Sequence, residues 1–96
     1  MSEIRFEWDR GKAASNERKH GVSFEEAESV FYDEQALFLE DPQPAGEEER
    51  FVLLGLSAAL RVLVVVHALR EQDVIRIISA RKATRPERQQ YQSRLR

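Results

Sequence analysis

Three apolar segments in the second half of the chain constrain its fold most strongly. They occupy residues 50–56, 61–69 and 74–80, are rich in β-branched residues, and are separated by gaps of four residues. Such segments predict β-strands, and gaps this short connect antiparallel neighbours. Residues 63–66 are continuously aliphatic, which is typical of a central strand covered on both faces. We therefore predict an antiparallel meander with residues 61–69 in the middle of the sheet.

The first half of the chain predicts a short strand followed by helices. Apolar and charged residues alternate over residues 4–8, the period of a half-buried strand. Residues 12–19 contain good helix formers between Asp9, a natural N-cap, and Gly21, a common helix stop. A brief strand is predicted at residues 36–40, before a turn-rich connection at 41–46.

Two capping boxes predict further helices. Ser23 with Glu26 begins the second helix, and apolar residues follow it at helical spacing. Thr84 with Glu87 begins a basic C-terminal helix, in which Tyr91 is the main apolar anchor. The predicted fold is α+β, a small antiparallel sheet of four to five strands with two N-terminal helices and one C-terminal helix packed on one face. Residues 1–96 fit a single domain.

Composition excludes several kinds of site. The chain has no cysteine, so disulfides, thiolate catalysis and zinc–thiolate sites are excluded. Its acidic residues form helix-spaced or loop runs without a His/carboxylate ligand motif, and its glycines are scattered. We therefore expect no metal, no cofactor and no nucleoside triphosphate chemistry. No segment reaches the roughly 18 apolar residues of a membrane helix, and the start is too charged for a secretory signal, so we expect a cytoplasmic protein.

Charge is distributed unevenly along the chain. Residues 1–49 contain fourteen Asp or Glu and five Lys or Arg, a net −9, whereas residues 50–96 contain three and ten, a net +7. This asymmetry predicts a polyanion-binding face in the second half. The alternative is ordinary solvated surface charge.

The segment 74–85 concentrates the basic residues. Strand alternation places Arg76 on the face of Val74 and Ile78, and Ser79 on the opposite face with Ile75 and Ile77. An arginine among apolar neighbours needs a partner or a cleft, and guanidinium groups match phosphate oxygens. The predicted phosphate cluster is Arg76, Arg81, Lys82 and Arg85. Alternatively, Arg76 pairs with an acid from the first half and the others are solvated.

Two segments resemble the signatures of the BrnT toxin family. The first contains residues 6–9, Lys12, Ala13, Asn16, residues 19–24 and Ala27; the second contains residues 76–84, Arg85, Glu87, Arg88 and Tyr91. This resemblance implies a type II toxin, a ribonuclease with a RelE-like fold that blocks translation. It also implies a directly bound BrnA-like antitoxin, a hetero-oligomer of the two proteins, and operator DNA contacted indirectly through the antitoxin. Pro86, Gln89 and Gln90 stand where basic residues are expected, which weakens the predicted RNA binding of the last helix.

RNA cleavage without a metal requires activation of the 2′-hydroxyl, stabilisation of phosphate charge and protonation of the leaving oxygen. His67 follows an apolar strand and is predicted at a cleft edge, with a structural role as the alternative; His20 has the alternative of stabilising a helix C-terminus. The predicted catalytic residues are Arg76, Arg81, Lys82, His67, Glu49 and Tyr91. The predicted RNA-binding residues are Arg85 and Arg88 of the basic segment, together with four that the family resemblance places on the active surface, namely Lys19, His20, Arg50 and Ser79. The alternative function is a non-catalytic nucleic-acid-binding or partner-binding module, such as a degenerate toxin that serves as an antitoxin scaffold and co-repressor.

Overall fold

In the part of the chain that the structure describes, the fold consists of a five-stranded sheet and three helices. The computed structural model describes residues 3–40, 49–71 and 73–95, so the whole of the predicted turn at 41–46 lies outside the described residues. The elements are β1 (Arg5–Glu7), α1 (Arg10–His20), α2 (Phe24–Ser29), a 3₁₀ turn (Val30–Tyr32), β2 (Leu37–Leu39), β3 (Phe51–Leu56), β4 (Val62–Leu69), β5 (Val74–Lys82) and α3 (Arg85–Arg94).

The strand order is β1-β5-β4-β3-β2, which confirms β4 as the central strand. Strands β2 to β5 pair antiparallel, as predicted. Strand β1 instead pairs parallel with β5, so the sheet is mixed. The long connection through the helices and the other strands permits this parallel pairing, whereas a tight turn would not.

Helices cover both faces of the sheet, so the prediction that all helices pack on one face is wrong. On one face, here called the helix-pair face, Leu63 and Val65 pack with Phe24 of α2. On the other, the α3 face, Val64 packs with Tyr91 of α3. Strands β3 and β4 are apolar at consecutive positions, so both of their faces must be removed from water.

The helix ends follow the predicted signals, with one difference. The Asp9 carboxylate accepts from the Lys12 N–H at 2.8 Å, and Gly21 ends α1 with φ 69°. The Ser23 hydroxyl accepts from the Glu26 N–H at 3.0 Å, but the Glu26 carboxylate binds Arg61 and Ser57. The expected second half of this capping box is thus replaced by an ion pair that connects α2 to the β3–β4 turn. At Thr84 the full capping box is present.

A β-bulge in β5 changes which side chains share a face. Val66 pairs with Ser79 and His67 pairs with Ile77, so Ile78 is the extra residue. Beyond the bulge, Ala80 joins Ile77 in the helix-pair core. Ser79 therefore lies on the α3 face, not on the face of Ile77 as alternation predicts. One inserted residue inverts the alternation for the rest of the strand.

Candidate functional site

A recess of about 400 Å³ opens on the α3 face of the sheet. Its floor contains Val52, Val64 and Val66. Its polar lining residues are His20, Glu40, Arg50, Ser79, Arg81 and Glu87. We call it the arginine recess. It brings together four of the residues predicted for the site, namely His20, Arg50, Ser79 and Arg81.

Asn16 holds the end of α1 beside β5 and so positions His20. The Ala80 N–H donates to Asn16 Oδ1 at 3.1 Å, and Asn16 Nδ2 donates to the Ala80 carbonyl at 2.8 Å. A further bond joins Nδ2 to the Val22 carbonyl at 3.0 Å. The Asn16 side chain therefore satisfies both the N–H and the carbonyl of Ala80, as the backbone of a neighbouring strand would. Strand β1 pairs with β5 only as far as Arg76 and does not reach Ala80. The sequence signal for this role is an amide within a helix that ends at a glycine.

Arg81 is held by a carboxylate on α3. Its Nη1 and Nη2 donate to Glu87 Oε1 and Oε2 at 2.8 and 3.0 Å, and Nη1 also donates to the Lys82 carbonyl at 3.3 Å. The hydrogen bonds with Glu87 raise the pKa of Arg81 further above its ordinary value. The same hydrogen bonds are the main reason that the pKa of the Glu87 carboxyl is lowered to about 2. Sequence reasoning identified Glu87 as a helix cap and missed its contact with Arg81.

Arg76 lies outside the arginine recess. Its side chain is on the opposite face of β5 from that of Ile77, and Arg76 pairs in register with Glu7 of β1. A smaller recess of about 260 Å³ contains Arg76 together with Glu7, Trp8 and Asp9. Two acids from the first half of the chain, Glu7 and Asp9, therefore line the same recess as Arg76, which agrees with the alternative interpretation that this arginine pairs with an acid.

Lys82, Arg88 and Tyr91 line a third depression, of about 470 Å³, between α3 and the β3–β4 turn. Tyr91 is 4% exposed, and its hydroxyl donates to Asp33 Oδ2 at 2.6 Å. Burial, followed by this hydrogen bond, raises the pKa of Tyr91 to about 12. These three residues thus line a different depression from the one that Arg81 lines, and the Tyr91 phenol anchors α3 to Asp33.

The prediction that His67 lies at a cleft edge is wrong. Its ring is 3% exposed on the helix-pair face, 4.7 Å from the ring of Phe31 between centroids, with Phe38 and Phe51 also close. Burial lowers the pKa of His67, and Nδ1 lies 3.3 Å from the Val65 carbonyl oxygen. The three phenylalanines come from separate elements, so the strand sequence alone did not predict this burial. The geometry supports the structural alternative.

The three remaining predicted residues do not line the arginine recess. Lys19 precedes His20 in the last turn of α1, Glu49 precedes Arg50, and Arg85 begins α3; all three are exposed. Their roles in RNA binding or catalysis stay predictions. Within residues 3–40, 49–71 and 73–95, no three His, Asp or Glu side chains are grouped as metal ligands. None of the helices in these ranges has the length and apolarity needed to span a bilayer.

Comparisons with known proteins identify the family and a similar fold. A family model described as "Ribonuclease toxin, BrnT, of type II toxin-antitoxin system" matches residues 8–87. The fold is similar to the 1.1 Å crystal structure of the Brucella abortus ribonuclease toxin BrnT, with a TM-score of 0.66 and 21% sequence identity. That match covers 85% of this chain and 99% of the Brucella chain, and at this identity it bears on the fold alone. No curated protein matches the sequence significantly.

Proposed function

Because the chain belongs to the BrnT family of ribonuclease toxins of type II toxin–antitoxin systems, we propose that its arginine recess is the site of a metal-independent endoribonuclease. The observation that carries the proposal is the convergence of an imidazole, two guanidinium groups and a hydroxyl in one recess. They come from α1, from the residue that precedes β3, and from β5, so their proximity depends on the folded chain.

Each group has a defined task in the proposed reaction. The 2′-oxygen of RNA attacks the adjacent phosphorus and the bond from phosphorus to the 5′-oxygen breaks, leaving a 2′,3′-cyclic phosphate and a 5′-hydroxyl. Arg81 and Arg50 stabilise the negative charge that develops on the phosphate oxygens. The 2′-hydroxyl loses one proton and the leaving 5′-oxygen gains one, so the proton balance closes within the reaction. Among the residues lining the recess, we assign His20 to proton transfer, because imidazole is the side chain used most often for this task.

The test is incubation of the purified chain with RNA in the presence of a chelator. We expect fragments that end in cyclic or 3′-phosphate, and we expect Arg81→Ala to lower the rate on the order of 10²-fold. Arg18→Ala is the matched control, since Arg18 is an exposed arginine of α1 that does not line the recess. Intact RNA at high protein concentration would contradict the proposed activity, and equal losses in both variants would contradict the site.

We extend the proposal to the cellular role expected of this family. The chain, acting as one domain in the cytoplasm, would inhibit translation by cleaving RNA and would be neutralised by direct binding of a BrnA-like antitoxin in a hetero-oligomer. Operator DNA would be contacted through the antitoxin. Induction of the chain with and without the antitoxin tests this role, with growth arrest expected only without it.

A non-catalytic binding module is the second candidate, favoured by the pairing of Arg81 with Glu87, which neutralises the charge of this arginine. This candidate predicts binding of RNA that weakens steeply with salt, because phosphate contacts release counterions. Salt-sensitive binding without any cleavage would support it over the enzyme.

A further inference from the structure

The guanidinium of Arg81 uses only part of its hydrogen-bonding capacity within the protein. A guanidinium has five N–H donors, of which Nε carries one and each terminal nitrogen carries two. The Glu87 carboxylate takes one from each terminal nitrogen, and the Lys82 carbonyl takes a second from Nη1. Across the part of the chain that the structure describes, the Nε–H of Arg81 has no hydrogen-bond acceptor, and the second N–H of Nη2 has none either. These two N–H groups lie on the same side of the planar group.

Two parallel N–H groups on one side of a guanidinium match two oxygens of a phosphate. Resting on the proposed ribonuclease function, we infer that Glu87 is a positioning residue that holds Arg81 so that its Nε–H and remaining Nη2–H bind the scissile phosphate. An unpaired arginine could offer phosphate either of two forks. Because Glu87 occupies the fork formed by Nη1 and Nη2, Arg81 offers phosphate the fork formed by Nε–H and the remaining Nη2–H.

Glu87 is suited to this task because it is itself fixed. Its Oε1 also accepts the Thr84 backbone N–H at 2.8 Å, a contact that does not depend on the Thr84 side chain. The carboxylate is therefore bound to the first turn of α3, while Arg81 is bound in β5 opposite Val64. A group held between a helix and a strand loses little orientational freedom when the reaction begins, which is the condition for electrostatic preorganisation.

The pairing has opposite effects on binding and on reaction rate. The Glu87 charge opposes an approaching phosphate, so its removal raises the net positive charge of the recess by one. Loss of the fixed orientation, however, removes an interaction with the geometry that the transition state needs. A positioning role therefore predicts that Glu87→Gln lowers kcat while KM stays the same or falls. If Glu87 only caps α3, its substitution should not lower kcat while leaving KM unchanged or lower.

The first experiment measures kcat and KM for RNA cleavage by wild type, Glu87→Gln and Thr84→Ala. We expect kcat of Glu87→Gln to fall on the order of 10- to 100-fold with KM unchanged or lower. Thr84→Ala removes the other half of the capping box and keeps the Arg81 contact, so its kcat should stay within about twofold. A similar loss in both variants, or no loss in Glu87→Gln, would overturn the inference.

The second experiment does not depend on cleavage. In arginine-labelled protein, the Nε–H resonance of Arg81 is identified by its absence in Arg81→Lys and is followed while a 2′-O-methyl RNA oligonucleotide is added. We expect this signal to shift in wild type and Thr84→Ala, and to broaden or shift less in Glu87→Gln. If wild type cleaves no RNA but shows this dependence on Glu87, the enzyme proposal fails and the positioning role stands. A wild-type Arg81 signal unaffected by the oligonucleotide would overturn the positioning role.

Discussion

Asn16 is predicted to contribute more to stability than any exposed polar residue of α1. Its side chain is 7% exposed and makes three hydrogen bonds, two to the backbone of Ala80 and one to the Val22 carbonyl. Asn16→Ala leaves these backbone groups without their partner at a point where water has little access. A buried hydrogen bond contributes about 1 kcal/mol, and leaving its partner unsatisfied costs roughly 1–3 kcal/mol.

The three bonds therefore predict a loss of about 3 kcal/mol in the free energy of unfolding for Asn16→Ala, measured by urea denaturation. The matched control is Gln89→Ala, which removes an exposed amide from a helix and should change the free energy by less than about 0.5 kcal/mol. Because Asn16 joins α1 to β5, the variant should also cleave RNA more slowly at temperatures where it is still folded. A loss below about 1 kcal/mol for Asn16→Ala would refute the assignment of these bonds as a main anchor of the helix.

Three further variants test the placement of single side chains. Tyr91→Phe removes the hydrogen bond to Asp33 and should lower the free energy of unfolding, measured in urea, by about 1 kcal/mol. A loss of cleavage larger than this destabilisation explains would indicate that Tyr91 acts in catalysis. Burial lowers the pKa of His67, so its contribution to stability is complete above the unfolded-state pKa of about 6.5 and declines as pH falls below it. His67→Leu should weaken this dependence in urea titrations between about pH 7 and 5 and should leave cleavage within about twofold, and an unchanged pH dependence would contradict the buried neutral ring. Leu60 is 79% exposed with φ 64°, so Leu60→Gly should relieve about 1 kcal/mol of backbone strain, partly offset by the greater chain entropy of glycine; a lower melting temperature would contradict the strain.

The secondary structure was predictable because its signals are local. The apolar segments of the second half became β3, β4 and β5, and the N-caps Asp9, Ser23 and Thr84 begin helices. A cap or a strand period depends on residues a few positions apart, which the sequence shows directly. The family signatures likewise lie in continuous stretches, and the family model matches residues 8–87.

The membership of the site was only partly predictable. The sequence predicts His20, Arg50, Ser79 and Arg81 as site residues, and these four line the arginine recess. It also predicts His67, which the structure buries among phenylalanines. Residues that contact each other from distant positions leave no periodic signal in one sequence. Glu87, for example, looked like a helix cap because Arg81 lies on a different element.

The sequence by itself determined which segments form strands and helices and where the basic residues are concentrated. Strict alternation would place Arg76 and Arg81, which are five positions apart, on opposite faces of β5. The bulge at Ile78 places Ser79 and Arg81 on the α3 face instead, where Glu87 binds Arg81. Only the tertiary structure decided this arrangement, because a bulge depends on how β5 pairs with β4 and a side-chain pair depends on where α3 packs.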